Sequence, residues 1–505
     1  MAFSILSLVV IIYQYRRLTI VLRNLFLWFI KESFWVKLLL VSMGIAVTTG
    51  FLCSFYASLL PPHLSQEYDV LNYHLTMPRQ HLLIGSFRHI PWSTADLFFL
   101  PVDFALAPFW LSTLLPNKLP QFFFIFGVLG VCGRLAWRFS NRGIWPPILM
   151  IFTILGSHNF GIQSGTAMLD VVICYLFLAA FDSFLNGAIW LGVVEFCFYF
   201  WSKPLIPVQF LVTLAIFALV LLFLWFLGIR KSAWVISDET IQKPAKSTKY
   251  IIKKGVYLFV ILSLIIAGPF IFKSLHYSGT PIFPLKVGLF RTLSIPQSSE
   301  TLAGLKEKAK QLLSVKDQYG SGRSMLEFVR HLWLIAVPEK GVNNRYDYPL
   351  GLMYLLFIGP FLFLFFHSLR NRILPFLPLW VIVSWAVWWM GTQQTRFLFV
   401  PLVLMYLAVV VTIKTPSRIL LCSMFIAIML VSLSVYRANK QDFGRWGYSV
   451  LRQKDKELIQ MGNNTQFSKE IKLPFYDVAY ATFPVSVENN HDSMFILRTE
   501  FGKGE

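Results

Sequence analysis

Charge is scarce in this sequence. Asp, Glu, Lys and Arg make up 14% of 505 residues, and only 25 of them are acids. A water-soluble globular chain is nearer a quarter charged. Cysteine is scarce as well, and all five (Cys53, Cys132, Cys174, Cys197, Cys422) lie in apolar segments. That excludes a disulfide scaffold or a zinc framework and reads as small buried hydrophobes. No P-loop, GxSxG, HExxH or Rossmann glycine fingerprint occurs, so no cytosolic nucleotide-binding domain is expected. The 45 Lys and Arg give a formal charge of +20, yet zinc-finger spacing, an RNA-binding aromatic motif and a basic helix are all missing. Nucleic acid is therefore not the expected partner. The opening MAFSILSLVVIIY lacks both a charged leader and a small-residue cleavage site. It reads as a short anchor or interfacial helix rather than a cleaved signal peptide.

Apolar surface is abundant. Hydrophobic residues make up 56% and aromatics 17%, with 49 Phe, and the mean hydropathy is +0.61. Water-soluble domains of ordinary size cannot hide that much, so the expectation is an all-α polytopic membrane protein in contact with membrane lipids. A spanning helix needs roughly 20 apolar residues, and that ruler gives about eleven candidate spans. They fall near 36–60, 118–138, 144–160, 162–182, 185–201, 204–228, 255–275, 350–368, 373–391, 395–413 and 419–436. Hydrophobicity is continuous rather than alternating, which excludes a β-barrel. The expected organisation is an N-terminal anchor or interfacial segment over 1–35, a membrane domain over 36–436 and an extracytoplasmic segment over 437–505. Arg16, Arg17, Arg23, Lys31 and Lys37 before the first full span, Arg134, Arg138 and Arg142 about the second turn, Arg230 and the lysines of 229–254, Arg370, Arg372, Lys414 and Arg418 cluster at span ends and in short loops. Placing them in the cytoplasm closes the alternation of spans, and the basic excess follows from that rule. The 61–117 and 276–349 segments and the tail then face outside.

Chemistry is expected on that outer side. The first outer loop, PPHLSQEYDVLNYHLTMPRQHLLIGSFRHIPW, is polar and aromatic. Its Asp69 can stay ionised at the membrane–water boundary and accept a proton from a sugar or lipid hydroxyl. Glu67 reads better as a solvated helix-capping acid. Tyr73, His74 and Arg79 lie close to Asp69 as candidate support. Asp170, near the outer end of a span, costs about 2.5–3.5 kcal/mol at a helix centre and so lines a polar interior or pairs with a nearby Arg or Lys. Asp182 reads as a boundary charge. Lys203, at an outer helix break, either meets a lipid phosphate or snorkels to the headgroups. Arg396, flanked by Gln393, Gln394 and Thr395, is suited to forked contacts with phosphate. HYSGTPIFPL at 276–285 is either a re-entrant turn or a loop exit. His74, His81 and His89 fit no standard zinc spacing and read as helix-face or headgroup histidines.

Taken in order, YDVLNYHLTMPRQHLLIGSF, TAMLD, SGTPIFPL, RYDYPLG and QQTRFLFVP resemble the GT-C superfamily of integral membrane glycosyltransferases. More closely, they resemble its dolichyl-phosphate-mannose-protein mannosyltransferase-like and lipid A aminoarabinose transferase-like members, over about 36–436. The resemblance implies inverting transfer of a sugar from a polyprenyl-phosphate-linked donor to a lipid, glycan or protein acceptor, on the outer face of the cytoplasmic membrane. It makes Asp69 the catalytic base, Asp170 a second acidic position, and Lys203 and Arg396 the holders of the donor phosphate. Relatives often pair two acids in the first loop, whereas this chain has Glu67-Tyr68-Asp69. A divalent metal is therefore left unassigned, with no metal ligands and no cofactor named. Two rivals stand beside this: a transporter or lipid flippase, which would show two related halves, and a non-catalytic envelope scaffold.

Overall fold

The computed structural model describes residues 23–58, 73–74, 77–78, 81, 85–87, 89–90, 94–110, 118–229, 231–233, 248–290, 302–314, 319–336 and 346–446. Asp69 and Arg79 lie outside the described residues, as do most of the proposed N-terminal segment and the chain beyond 446.

The chain is a helical membrane protein. Among the described residues, five helices are long and apolar enough to cross a bilayer: α1 (Phe34–Ser58), α3 (Leu119–Phe139), α8 (Leu205–Phe226), α13 (Gly351–Arg370) and the first part of α16 (Arg418–Trp446). A sixth span arises if the bent pair α9 (Thr248–Ile266) and α10 (Gly268–Ser278) crosses as one unit; the pair turns by 58°. The other expected spans are helical but short. They are α4 (Trp145–Leu155) with α5 (His158–Gln163), α6 (Asp170–Leu185), α7 (Ile189–Phe200), α14 (Phe376–Met390) and α15 (Phe399–Val410). An apolar run in sequence therefore overstates the length of a regular helix here. The 144–160 run breaks at Gly156 and Ser157, and the 395–413 run opens with a 3₁₀ turn, Thr395–Leu398. At 1.5 Å per residue, such helices fall short of the roughly 30 Å hydrocarbon core unless neighbours bury their ends.

Packing decides which apolar helix is central. In α15 every residue from Pro401 to Val410 is buried, and Phe399 stacks on Phe160 with ring centroids 4.3 Å apart. By contrast, α8 is equally apolar yet mostly exposed, so its surface is left for lipid. Close approaches use small residues, as membrane helix contacts do. A Cβ on Gly127 of α3 would lie 2.7 Å from the Tyr175 ring of α6. Ser432 Oγ donates to the Ala46 carbonyl (2.7 Å), joining α16 to α1. Two three-residue strands, β1 (Lys231–Ala233) and β2 (Ile373–Pro375), pair in parallel.

The expected cytoplasmic end carries its own ties. Arg134 pairs with the fully buried Asp182, so Asp182 is an ion-pair partner inside the bundle rather than a loose boundary charge. Arg138 donates to Asn186 Oδ1 (2.9 Å) and to the Leu185 carbonyl (2.7 Å). The cysteines are all free; Cys422 is exposed on α16 and departs from the buried expectation.

Three shorter helices gather at the opposite end: α2 (Pro101–Trp110), α11 (Leu302–Ser314) and α12 (Met325–Leu334). Leu305 and Ala309 of α11 pack with Leu97 and Phe283. In the 276–285 stretch Phe283 is fully buried beside Leu97 of the first loop, and Gly279 caps α10 in the left-handed region (φ +65°).

Candidate functional site

The start of α6, the turn after α7 and the turn before α15 all lie at this second end. They bring together three of the expected site residues. Lys203 Nζ donates to Asp170 Oδ1 at 2.7 Å, with side chains 11% and 3% exposed. Lys203 is therefore turned inward and does not snorkel. Arg396 Nε lies 3.1 Å from Asp347 Oδ2, and its Nη1 reaches Met168 Sδ at 3.9 Å. The Phe397 ring ties the two cations together: Lys203 Nζ is 5.0 Å and Arg396 Cζ 5.3 Å from its centroid, within cation–π range.

Gln393, Gln394 and Thr395 do not supply a polar lining; they position Arg396. Gln393 is fully buried, accepting from the Ser321 amide (2.9 Å) and donating to the Trp389 carbonyl (3.1 Å). Gly320 (φ +87°) permits this, because a Cβ there would fall 1.6 Å from Gln393 Oε1. The Thr395 amide donates to the Tyr346 carbonyl (2.9 Å), and Thr395 Oγ1 accepts from the Tyr348 amide (3.2 Å). These bonds set the 346–348 turn beside Arg396, which is why Asp347 meets Arg396 across 49 positions of sequence.

Two cavities are lined by one or both of these cations, and a third adjoins the first. The first, about 90 Å³, is lined by Asp170, Lys203, Gln209, Ser384, Arg396 and Phe397 among others. The second, about 160 Å³, shares Lys203, Gln209 and Phe397 and adds Tyr73, His74 and Pro284. The third, about 720 Å³, is apolar throughout and shares Phe177, Phe210 and Trp380 with the first. It runs along α6 from Phe177 to Phe184 and along α8 from Phe210 to Phe217, toward the other end of the bundle. A small chamber lined by two cations thus shares three aromatic wall residues with a long apolar groove.

His74 and His81 are buried at helical positions and His89 is half-buried, which corrects the headgroup half of the expectation. Each finds an acid that sequence reading passed over. His74 Nδ1 lies 2.8 Å from Asp103 Oδ1, both side chains essentially inaccessible. Burial, and then the charges of Lys203 and Arg396, hold His74 well below its ordinary value. Burial pushes the Asp103 carboxyl well up, against the opposing charge of Lys203. His81 Nε2 lies 2.5 Å and Lys273 Nζ 2.8 Å from Asp96 Oδ1, while His89 Nδ1 (3.0 Å) and the Ile90 amide (2.8 Å) reach Oδ2. Burial alone would raise Asp96; the His81 and His89 hydrogen bonds and the Lys273 charge outweigh it and hold the carboxyl well below the usual range. Among the described residues no group of three His, Cys, Asp or Glu side chains could hold a metal ion; at Asp96 the Lys273 ammonium fills the place a cation would take. The missed signal was an ionisable residue inside an apolar run, as in PVDFALAPFW (Asp103) and GPFIFKSLHY (Lys273).

Tyr73 packs edge-on against Phe98 at 5.9 Å and lines the second cavity with His74. Asp69, which precedes them by a few residues, falls outside the described residues. The chain matches no protein-family model, no curated protein and no solved structure.

Proposed function

We propose that the chain is an inverting GT-C-type membrane glycosyltransferase that moves a sugar from a polyprenyl-phosphate donor to a lipid, glycan or protein acceptor on the outer face of the cytoplasmic membrane. One observation carries this reading: a polar chamber with Lys203 and Arg396 shares walls with an apolar groove of about 720 Å³. An amphiphile with a phosphate head and an isoprenoid tail fits both halves. The tail gains about 0.8 kcal/mol per buried CH₂, and the guanidinium and ammonium stabilise charge as it develops on the departing phosphate. Asp170 and Asp347 balance the two cations and hold them in place until the anion arrives.

In this mechanism Asp69 takes the proton of the acceptor hydroxyl, the hydroxyl oxygen forms the new bond to the anomeric carbon from the opposite side, and the sugar–phosphate bond breaks with its electrons on the lipid phosphate. The polar cavities gather at one end of the bundle, which favours a transferase over a transporter with alternating access. Purified protein in lipid nanodiscs should transfer sugar from a short-chain polyprenyl-phosphate donor, and Asp69→Asn should bind donor yet turn over at least about 10²-fold more slowly. Near-normal turnover of that variant would remove Asp69 as the base; no donor binding by the native protein would remove the transferase reading itself.

A further inference from the structure

His74, which lines the second cavity, carries a polar atom without a partner. The residue is fully buried and lines the cavity beside Lys203 and Phe397, and its Nε2 has no hydrogen-bond partner. Its Nδ1 faces Asp103 Oδ1 at 2.8 Å. Asp103 is itself fully buried on α2, and its second oxygen, Oδ2, has no partner either. An ionised carboxylate with an unpaired buried oxygen is costly, whereas a neutral carboxyl leaves only a weakly demanding carbonyl oxygen. Asp103 therefore keeps its proton and gives it to the hydrogen bond with Nδ1. A neutral imidazole accepting at Nδ1 must carry its own proton at Nε2. The result is an N–H donor, buried without an acceptor, on a residue that lines a cavity sharing Lys203 with the cation chamber. An orphaned buried donor is rare and points to a missing acceptor.

We propose that His74 is a phosphate-binding residue of the donor site, its Nε2–H held by Asp103 to donate to a phosphate oxygen that Lys203 and Arg396 also contact. This rests on the transferase reading and deepens it. Lys203 and Arg396 each carry an acid partner already, so a neutral donor adds a contact to the anion without adding a further charge to balance. No proton is transferred: as the sugar–phosphate bond breaks, the hydrogen bond strengthens on the phosphate oxygen and the imidazole stays neutral. The groups facing His74 are Asp103 from α2, Lys203 from the turn after α7, Arg396 from the turn before α15 and the adjoining Tyr73.

The test uses the full chain in detergent with farnesyl phosphate and farnesol as probes. His74→Phe should weaken farnesyl phosphate binding by about tenfold or more while leaving farnesol unchanged, the scale of a hydrogen bond to a charged group. Asp103→Asn should stay within about threefold of the native protein, because the Asn amide N–H also donates to Nδ1 and keeps the proton on Nε2. If His74→Phe does not fold, Asp103→Asn and the ¹⁵N signal of the His74 ring decide: a protonated Nε2 whose shift moves on adding farnesyl phosphate supports the assignment. A His74→Phe protein that binds as tightly as the native one, or a tenfold loss with Asp103→Asn, overturns it. Should Lys203→Met then still abolish binding, the phosphate site stands without His74. Equal binding of farnesyl phosphate and farnesol by the native protein would instead defeat the donor-site reading on which the proposal rests.

Discussion

Lys203 Nζ sits 2.7 Å from Asp170 Oδ1, joining the turn after α7 to the first residue of α6. The two residues are 33 positions apart in sequence, and both line the cation chamber. The pair has two consequences that separate experimentally: it holds the helices together, and, on the proposed donor-binding reading, it keeps an ammonium where an anionic headgroup can reach it.

The structural part is open to a double-mutant cycle. Asp170→Asn leaves a buried ammonium without its counter-charge and should lower stability by about 3–5 kcal/mol. The double variant Asp170→Leu/Lys203→Met removes both charges and, measured beside its two component single variants, should lose much less than the two singles together. Thermal unfolding in detergent gives the comparison, and strictly additive losses would show that the pair is not coupled.

Arg396 tests whether the chamber recognises a fork-shaped contact or only a positive charge. A guanidinium can place two parallel N–H groups on a phosphate, and an ammonium cannot. Arg396→Lys should weaken farnesyl phosphate binding by about tenfold, and Arg396→Met should weaken it further. Native affinity in the lysine variant would mean that charge alone suffices.

His331 of α12 sets a pH dependence of stability. Its Nε2 accepts from Trp385 Nε1 (2.8 Å), its Nδ1 donates to the Phe328 carbonyl, and it packs among Phe328, Trp388 and Trp389. Burial, opposed by hydrogen bonds to the Phe328 and Glu327 carbonyls, lowers it to about 4. The unfolded imidazole takes up a proton near its ordinary value of about 6.5, which the folded one refuses. The stabilisation is therefore complete above about pH 6.5 and declines as pH falls toward 4, by up to about 1.4 kcal/mol per unit. Unfolding midpoints measured from pH 7 to 4 should show this slope, and His331→Gln should make it shallower, with the buried His74 still contributing in the same direction. An unchanged slope in that variant would assign the effect to other groups.

Much of the candidate site was legible in one dimension. Asp170, Lys203 and Arg396 announced themselves as charges set into apolar or aromatic surroundings, and burial in the bundle accounts for that. Asp103 and Asp96 carried the same signal in shorter apolar runs. Each was hidden because its partner lies elsewhere: His74 is 29 positions from Asp103, and Lys273 is 177 from Asp96. Gln393 misled for the opposite reason. Its amide looked available beside Arg396, but it is spent on the 319–322 turn, a contact 72 positions away that Gly320 makes room for.

Membrane residence and helical architecture followed from composition, because continuous apolar runs with so little charge have no soluble solution and leave the backbone only helices to satisfy itself. Order along the chain also put the expected binding residues at one end of those helices. Chain order was silent on which helix is central, since α8 and α15 are alike in composition while one faces lipid and the other is enclosed. It was equally silent on the meeting of the cation chamber with the apolar groove. Burial and cavity shape belong to relations between helices, and a side chain's neighbours across the bundle leave no trace in the residues beside it along the chain.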